Sequence, residues 1–158
     1  MNIIKESNNT IINKKFIINP FKSLGPLLLG MTKSESRHIM KEIYGLSYET
    51  FSRWEGVPPL DMYYESSLQI HFDSSDKIKC IELVDKPIFM IFSNYEIEVT
   101  KLTVDEFMKL IKKEFNLDFK IDLGAGICYG LGLVTSIDEI EDLVDGVLIG
   151  TKEYMTEY

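Results

Sequence analysis

The chain has 158 residues, 45% of them hydrophobic and 27% charged, and a formal net charge of −8. That is the size of one ordinary domain, with enough apolar surface to build a core. The acidity argues against nucleic acid or an anionic membrane as the main partner, and no apolar run is long enough to span a bilayer. Most of the charge sits at one end. From Val134 to Tyr158 seven acids stand against Lys152 alone, a balance of −6. Such a segment is a solvated face or a docking surface for a basic partner.

In chain order, Met1 to Asn13 is polar and Asn-rich, so residues 1–14 read as a loose lead-in to a single domain over residues 15–158. The lead-in shows no apolar signal region, and a cytoplasmic location is expected. Phe16-Ile17-Ile18 reads as a short strand stopped by Pro20, and Leu27-Leu28-Leu29 as a buried run. Gly30-Met31-Thr32-Lys33-Ser34-Glu35 then opens a helix. Thr32 and Glu35 have the spacing of a capping box, in which each side chain satisfies an amide near the other residue. Ile39, Met40 and Ile43 supply the apolar face, and Gly45 is a natural stop after Tyr44.

Leu46 to Leu60 has no clear period. Leu68, Ile70 and Phe72 alternate with Gln69 and His71, Asp73-Ser74-Ser75-Asp76 is a turn cluster, and Lys77 to Leu83 returns as the second arm of a hairpin. The phase of that arm is blurred, because Cys80 and Ile81 are both apolar. Ile88 to Phe92 and Tyr95 to Val99 read as a second hairpin. Thr103 and Glu106 repeat the capping box, opening a helix from Val104 to Phe115 with Phe107, Leu110, Ile111 and Phe115 inward. Beyond it, Leu117, Phe119 and Ile121 alternate, and Ile127 to Val134 reads as a strand punctuated by glycines. Ser136-Ile137-Asp138-Glu139 is a third potential box, and Val147 to Ile149 the last strand. The pattern predicts an α+β fold with a mainly antiparallel sheet, two capped helices and two half-repeats of about 15–86 and 87–158.

Pro20-Phe21-Lys22-Ser23-Leu24-Gly25, Gly30-Met31-Thr32 with Glu35, the hairpin from Leu68 to Leu83, and Gly130-Leu131-Gly132-Leu133 leading to Val147-Leu148-Ile149-Gly150 and Tyr154 carry a resemblance. Together, from Phe16 to Tyr154, they resemble a group of small bacterial proteins associated with toxin-immunity loci. The Gly-Met-Thr-x-x-Glu opening is also similar to that of BamE/SmpA-type lipoprotein domains, and the tandem plan to the β-lactamase inhibitory proteins. Ser36 departs from the pattern, standing where those helices usually carry an apolar residue, and no lipoprotein signal with its Cys is present. The resemblance therefore implies the fold plan and an immunity role, not an envelope role.

Residues that could carry chemistry each have a plainer reading. Gly124-Ala125-Gly126-Ile127-Cys128-Tyr129-Gly130 matches a loose phosphate-loop spacing but runs into Leu131-Gly132-Leu133, a strand pattern without the required helix N-terminus. His71 and Cys80 lie on facing hairpin arms, as in a thiolate pair, or as an exposed His beside a buried Cys. Cys80 and Cys128 have no metal or redox spacing and read as buried free thiols. His38, among Arg37 and Lys41, reads as solvated. Glu65, Asp73 and Asp76 form no calcium loop, and the aspartates suit a turn. No catalysis, cofactor or metal is expected.

The richest stretch is Tyr44 to Glu65, where Tyr48, Phe51, Trp54, Tyr63 and Tyr64 alternate with Glu49, Glu55, Asp61 and Glu65. Aromatics dominate binding energy at protein interfaces and surrounding charges set specificity. The expected partner surface joins Tyr48, Phe51, Trp54, Glu55, Asp61, Tyr63, Tyr64 and Glu65 to the acidic Asp138, Glu139, Glu141 and Asp142. The expected partner is a cognate protein toxin, basic in charge, neutralised by occlusion. A homodimer through edge strands is compatible with the pattern. The alternative expectation is a small-ligand-binding or regulatory domain, using Gly124 to Gly132 and the aromatic loop as a pocket.

Overall fold

In the computed structural model, which describes residues 15–122, 124–138 and 140–156, both main helices start at their capping boxes. The predicted lead-in, residues 1–14, lies outside the described residues. The first helix, α1, spans Lys33–Tyr44. Thr32 Oγ1 accepts from the Glu35 amide at 3.2 Å, and Glu35 Oε2 from the Thr32 amide at 2.8 Å. The second, α2, spans Val104–Phe115, with the corresponding bonds between Thr103 and Glu106 at 3.1 and 2.9 Å. Gly45 and Asn116 end them in the left-handed conformation that such caps use. Ser36 is buried, and its hydroxyl donates to the Lys33 carbonyl at 2.8 Å, which is how this helix accommodates a polar residue on its inner face.

The strands are β1 (Phe16–Asn19), β2 (Ser23–Leu24), β3 (Leu27–Leu28), β4 (Glu49–Phe51), β5 (Leu60–Tyr63), β6 (Leu68–Phe72) and β7 (Ile78–Val84). They continue as β8 (Ile88–Phe92), β9 (Tyr95–Glu98), β10 (Lys120–Asp122), β11 (Ala125–Cys128), β12 (Leu133–Ile137) and β13 (Val144–Gly150), followed by the short helix α3 (Lys152–Thr156). One sheet has the order β3-β2-β1-β8-β9, parallel only where β1 meets β8. The larger sheet, β10-β11-β12-β13-β7-β6-β5-β4, is antiparallel throughout. The fold is α+β and mainly antiparallel.

One succession of elements occurs twice: short strands, a capped helix, then a four-stranded meander. Its local bonds recur as well. Each N-cap threonine bridges to the residue before the last meander strand, Thr32 to Lys77 and Thr103 to Leu143. The Lys33 amide donates to the Asp76 carbonyl at 2.8 Å, and the Val104 amide to that of Asp142 at 2.9 Å; both aspartates have φ 57°. The last strands, β7 and β13, pair with each other. Ile81 faces Ile149 and Leu83 faces Val147, so the two halves exchange places about Glu82 and Leu148, which face one another.

The helices α1 and α2 and the smaller sheet cover one face of the eight-stranded sheet. Leu68, Ile70, Phe72, Ile81, Leu83 and Ile149 point there, into a core shared with Met40, Phe107, Ile18 and Ile88. The opposite, outer face is covered only in part. A smaller cluster of Ile127, Val134 and Met155, flanked by Leu148, Phe21 and Tyr154, brings α3 onto it.

Four expectations change. Within Leu27-Leu28-Leu29, Leu27 is buried but Leu28 is exposed, because a two-residue strand at a sheet edge turns its second side chain out. Leu46 to Leu60 contains the edge strand β4. Ile127 to Val134 is two strands, reversed by the 3₁₀ turn Tyr129–Leu131 and by Gly132 at φ 61°, where a Cβ would lie 2.5 Å from the Phe21 ring. No α-helix N-terminus follows those glycines, so a phosphate loop is not formed. Finally, β12 runs through Ile137, so Ser136 is extended and caps nothing. Asp138 instead accepts from the amides of Ile140 and Glu141 at 2.8 and 2.9 Å.

Candidate protein-binding face

Strand alternation divides the expected aromatic patch. In the β4–β5 pair Thr50 faces Asp61, and Asp61 faces Ile70 of β6, so Asp61 and Tyr63 point to the helix side. Both are buried, at 1% and 2% exposure. Asp61 is held by α1: Arg37 Nε and Nη2 donate to its two oxygens at 2.8 and 2.9 Å. The guanidinium also stacks on Tyr48, 3.7 Å from the ring centroid. Asp61 and Tyr63 are therefore not on the partner surface the sequence suggested. A two-residue period placed them inward, and the fork of Arg37 neutralises the carboxylate there. Tyr64 and Glu65 lie in the β5–β6 turn, Tyr64 packed edge-on against Phe16 with Lys86 over its ring.

Phe51, Trp54 and Glu55 remain, and they turn the other way. Phe51 faces Leu60 on the outer side, and the loop of residues 52–59 follows it. Phe51, Trp54 and Val57 are exposed, Trp54 at 66%. Arg53 folds back from this loop over the outer face, its Nη2 donating to Gln69 Oε1 at 2.8 Å, while Gln69 Nε2 donates to the Ser66 carbonyl at 3.3 Å. Pro58 reaches a cavity of about 360 Å³ shared with Lys79, Glu153 and Tyr154, which joins the loop to α3. The outer face is thus a half-open surface framed by an aromatic loop on one side and by α3 on the other.

At its centre are three polar residues outside the expected aromatic patch: Gln69, His71 and Glu82. His71 Nε2 stands 3.8 Å from a Glu82 oxygen, beyond hydrogen-bond distance. His71, with Arg53 adding a smaller effect, holds the Glu82 carboxyl below the usual glutamate range, so it is charged at neutral pH. The sequence did contain a signal for these residues, since Gln69 and His71 are the polar members of an alternating strand. Glu82 was obscured by a register shift between His71 and Phe72 that leaves Lys79 as an extra residue in β7.

Cys80 and Ile81 face opposite sides by ordinary alternation and are both buried, Ile81 in the main core and Cys80 on the outer face against Tyr154. His71 and Cys80 are direct cross-strand partners, as the hairpin implied. They do not make a reactive pair. Burial pushes the Cys80 thiol up to about 12, and the Tyr154 hydroxyl donating to its sulfur offsets this only in part. Burial raises Cys128 as well. A thiol reagent at pH 8 is therefore expected to leave the folded protein unlabelled and to label both cysteines in denaturant. Rapid labelling of folded Cys80, read by mass spectrometry, would contradict this.

The acidic residues stand apart from the aromatic loop. Asp138 and Asp142 build the β12–β13 turn, the counterpart of Asp73 and Asp76, and one Asp138 oxygen is used by its own turn amides. Glu141 is exposed beside them, and Glu139 lies outside the described residues. From β13 to β4 is four strand steps of ~4.8 Å, roughly 19 Å. The turn also leaves the sheet at the Val84–Gly146 end, whereas the loop leaves at the opposite end. Acids and aromatics do not form one patch. Among the described residues no group of three His, Cys, Asp or Glu side chains is arranged to hold a metal, and no helix is long and apolar enough to cross a membrane.

No protein-family model matches the chain, and no curated protein or solved structure shows a significant match to it.

Proposed function

We propose that this chain is an immunity protein: it binds a cognate protein toxin in the cytoplasm and neutralises it by occlusion, with the outer sheet face as the binding surface. One observation carries the reading. The internal repeat is broken at the β4–β5 connection, which has eight residues where its counterpart between β10 and β11 has two. The extra residues have no counterpart in the other half, and loops on a rigid scaffold are where binding residues concentrate. This one presents Trp54 and Val57 to solvent beside Phe51. Large exposed aromatics are the residues that anchor protein interfaces. The net charge of −8 suits a basic partner and rapid association.

The test is to induce the gene immediately upstream with and without this protein. Growth inhibition relieved by co-expression, with the two proteins co-purifying, is the expected result. Toxicity without relief, or relief without a complex, would sink the proposal. Because Trp54 is the only tryptophan, its fluorescence reports binding at the loop directly.

A second reading is favoured by one cavity. Phe21, Tyr129, Lys152, Met155 and Thr156 line about 550 Å³, within the size range of small-molecule sites. Of the Gly124 to Gly132 stretch, Tyr129 lines it. A ligand-binding domain would show a concentration-dependent rise in Tm with a member of a metabolite panel, by linkage.

A further inference from the structure

The eight-stranded sheet ends at β10, Lys120–Asp122, whose far side is unpaired among the described residues. Backbone register fixes what that edge offers. Two residues join β10 to β11, so Asp122 and Ala125 close the hairpin as a hydrogen-bonded pair. Such pairs alternate along an antiparallel ladder. Lys120 with Ile127 is the next one, and Ile121 with Gly126 lies between them. Ile121 therefore directs its amide and its carbonyl away from β11, out of the sheet edge. A free donor and a free acceptor on one residue are a template for a further strand.

The side chains divide by face. A Cβ on Gly126, the partner of Ile121, would lie 3.2 Å from the Phe119 ring, and Phe119 packs against Phe107 of α2. Ile121 is thus on the helix side, and it is 55% exposed. Lys120 and Asp122 point to the outer side. Both are exposed, and neither forms a hydrogen bond or ion pair among the described residues.

We propose that this edge pairs with the same edge of a second copy of the chain, antiparallel about a two-fold axis at Ile121. Each Ile121 amide donates to the carbonyl of the partner's Ile121. Lys120 faces the partner's Asp122, and Asp122 faces the partner's Lys120. These are non-hydrogen-bonded positions, where facing side chains stand closest, so two ion pairs form on the outer side. On the helix side the two exposed isoleucines cover one another. Lys-Ile-Asp is complementary to itself in this register. The edges at β9 and β4 are not. At β9 the same hairpin rule turns Glu96 outward, and a two-fold axis there would set it against its own copy, like charges directly opposite. At β4 a two-fold axis about Thr50 would set Glu49 against Phe51. The pairing at β10 also repeats a contact already in the fold, since β7 and β13 join the two halves antiparallel about Glu82 and Leu148. It leaves β4 and the Trp54 loop at the far edge of the sheet, so it stands apart from the immunity reading.

Three residues a side fall well short of a standard interface of about 1,200–2,000 Å², so the dimer is weak, with Kd on the order of 0.1 mM. Sedimentation equilibrium of the full chain should show the mass rising from monomer toward dimer between ~10 µM and ~1 mM. Lys120→Asp and Asp122→Lys each set like charges opposite one another and should raise Kd at least ~10-fold. Both side chains are exposed, so Tm should not change. An equal mixture of the two variants sets acids against lysines again and should restore the dimer. Hydrogen exchange supplies a backbone readout: the Ile121 amide should gain protection as the wild-type concentration rises, and in neither variant alone. A wild type that stays monomeric at ~1 mM, a dimer indifferent to both substitutions, or a mixture that stays monomeric would overturn the proposal.

Discussion

An Arg37→Ala variant is expected to lose about 3 kcal/mol of stability, because it leaves the Asp61 carboxylate buried and unpaired. Asp61 is 1% exposed, and its two oxygens accept from Arg37 Nε and Nη2 at 2.8 and 2.9 Å. The variant also removes the cation stacked on Tyr48. For a chain of this length the loss corresponds to a fall in Tm of roughly 6–12 °C. Arg37→Lys keeps the charge but not the fork, so it should lie between wild type and alanine. The double variant Arg37→Met with Asp61→Leu removes both charges together and should recover most of the loss. Chemical denaturation of the four proteins tests this. A single-variant cost under about 1 kcal/mol would mean that Asp61 does not depend on Arg37.

Trp54→Ala should behave in the opposite way, with stability nearly unchanged and binding strongly impaired. Its side chain lies outside the core at 66% exposure, and substitutions at such positions usually stay within about 0.5 kcal/mol. Loss of an aromatic anchor at an interface costs about 2 kcal/mol or more, which is a rise of roughly 30-fold in Kd for the co-purified partner. Calorimetric titration reads this without needing the tryptophan signal. Tyr48→Ala provides the contrast. Its ring serves Arg37 on the helix side, so it should reduce stability and leave Kd little changed. Equal affinities for wild type and Trp54→Ala would remove the loop from the interface.

What could be read from the sequence was local. Thr32 with Glu35 and Thr103 with Glu106 declare their helices because a capping box is complete within four residues. Leu68 to Phe72 declares a strand because alternation is visible along one segment. The division of the aromatic patch is a different kind of fact. Whether Phe51 shares a side with Asp61 depends on the pairing of β4 with β5, and a three-residue edge strand with no buried member carries no phase of its own. Cys80 and Ile81 confused the reading for a similar reason, since Cys80 is buried on the outer face against Tyr154, which comes from elsewhere in the chain. Ser136 misled because its spacing to Glu139 imitates a capping box, while pairing with β11 and β13 keeps it extended.

The loop of residues 52–59 was visible as Trp54 and Glu55 followed by Gly56 and by Pro58-Pro59. Its significance came from comparison with the two-residue connection in the other half.

The most direct measurement is hydrogen exchange of the isolated protein against its complex with the co-purified partner. Amides of Phe51 to Val57, Gln69 to His71 and Glu82 to Val84 should gain protection in the complex, while α1, α2 and the β12–β13 turn keep their isolated rates. Protection confined to the helices or the acidic turn, with the outer face unchanged, would contradict the assignment of that face as the binding surface.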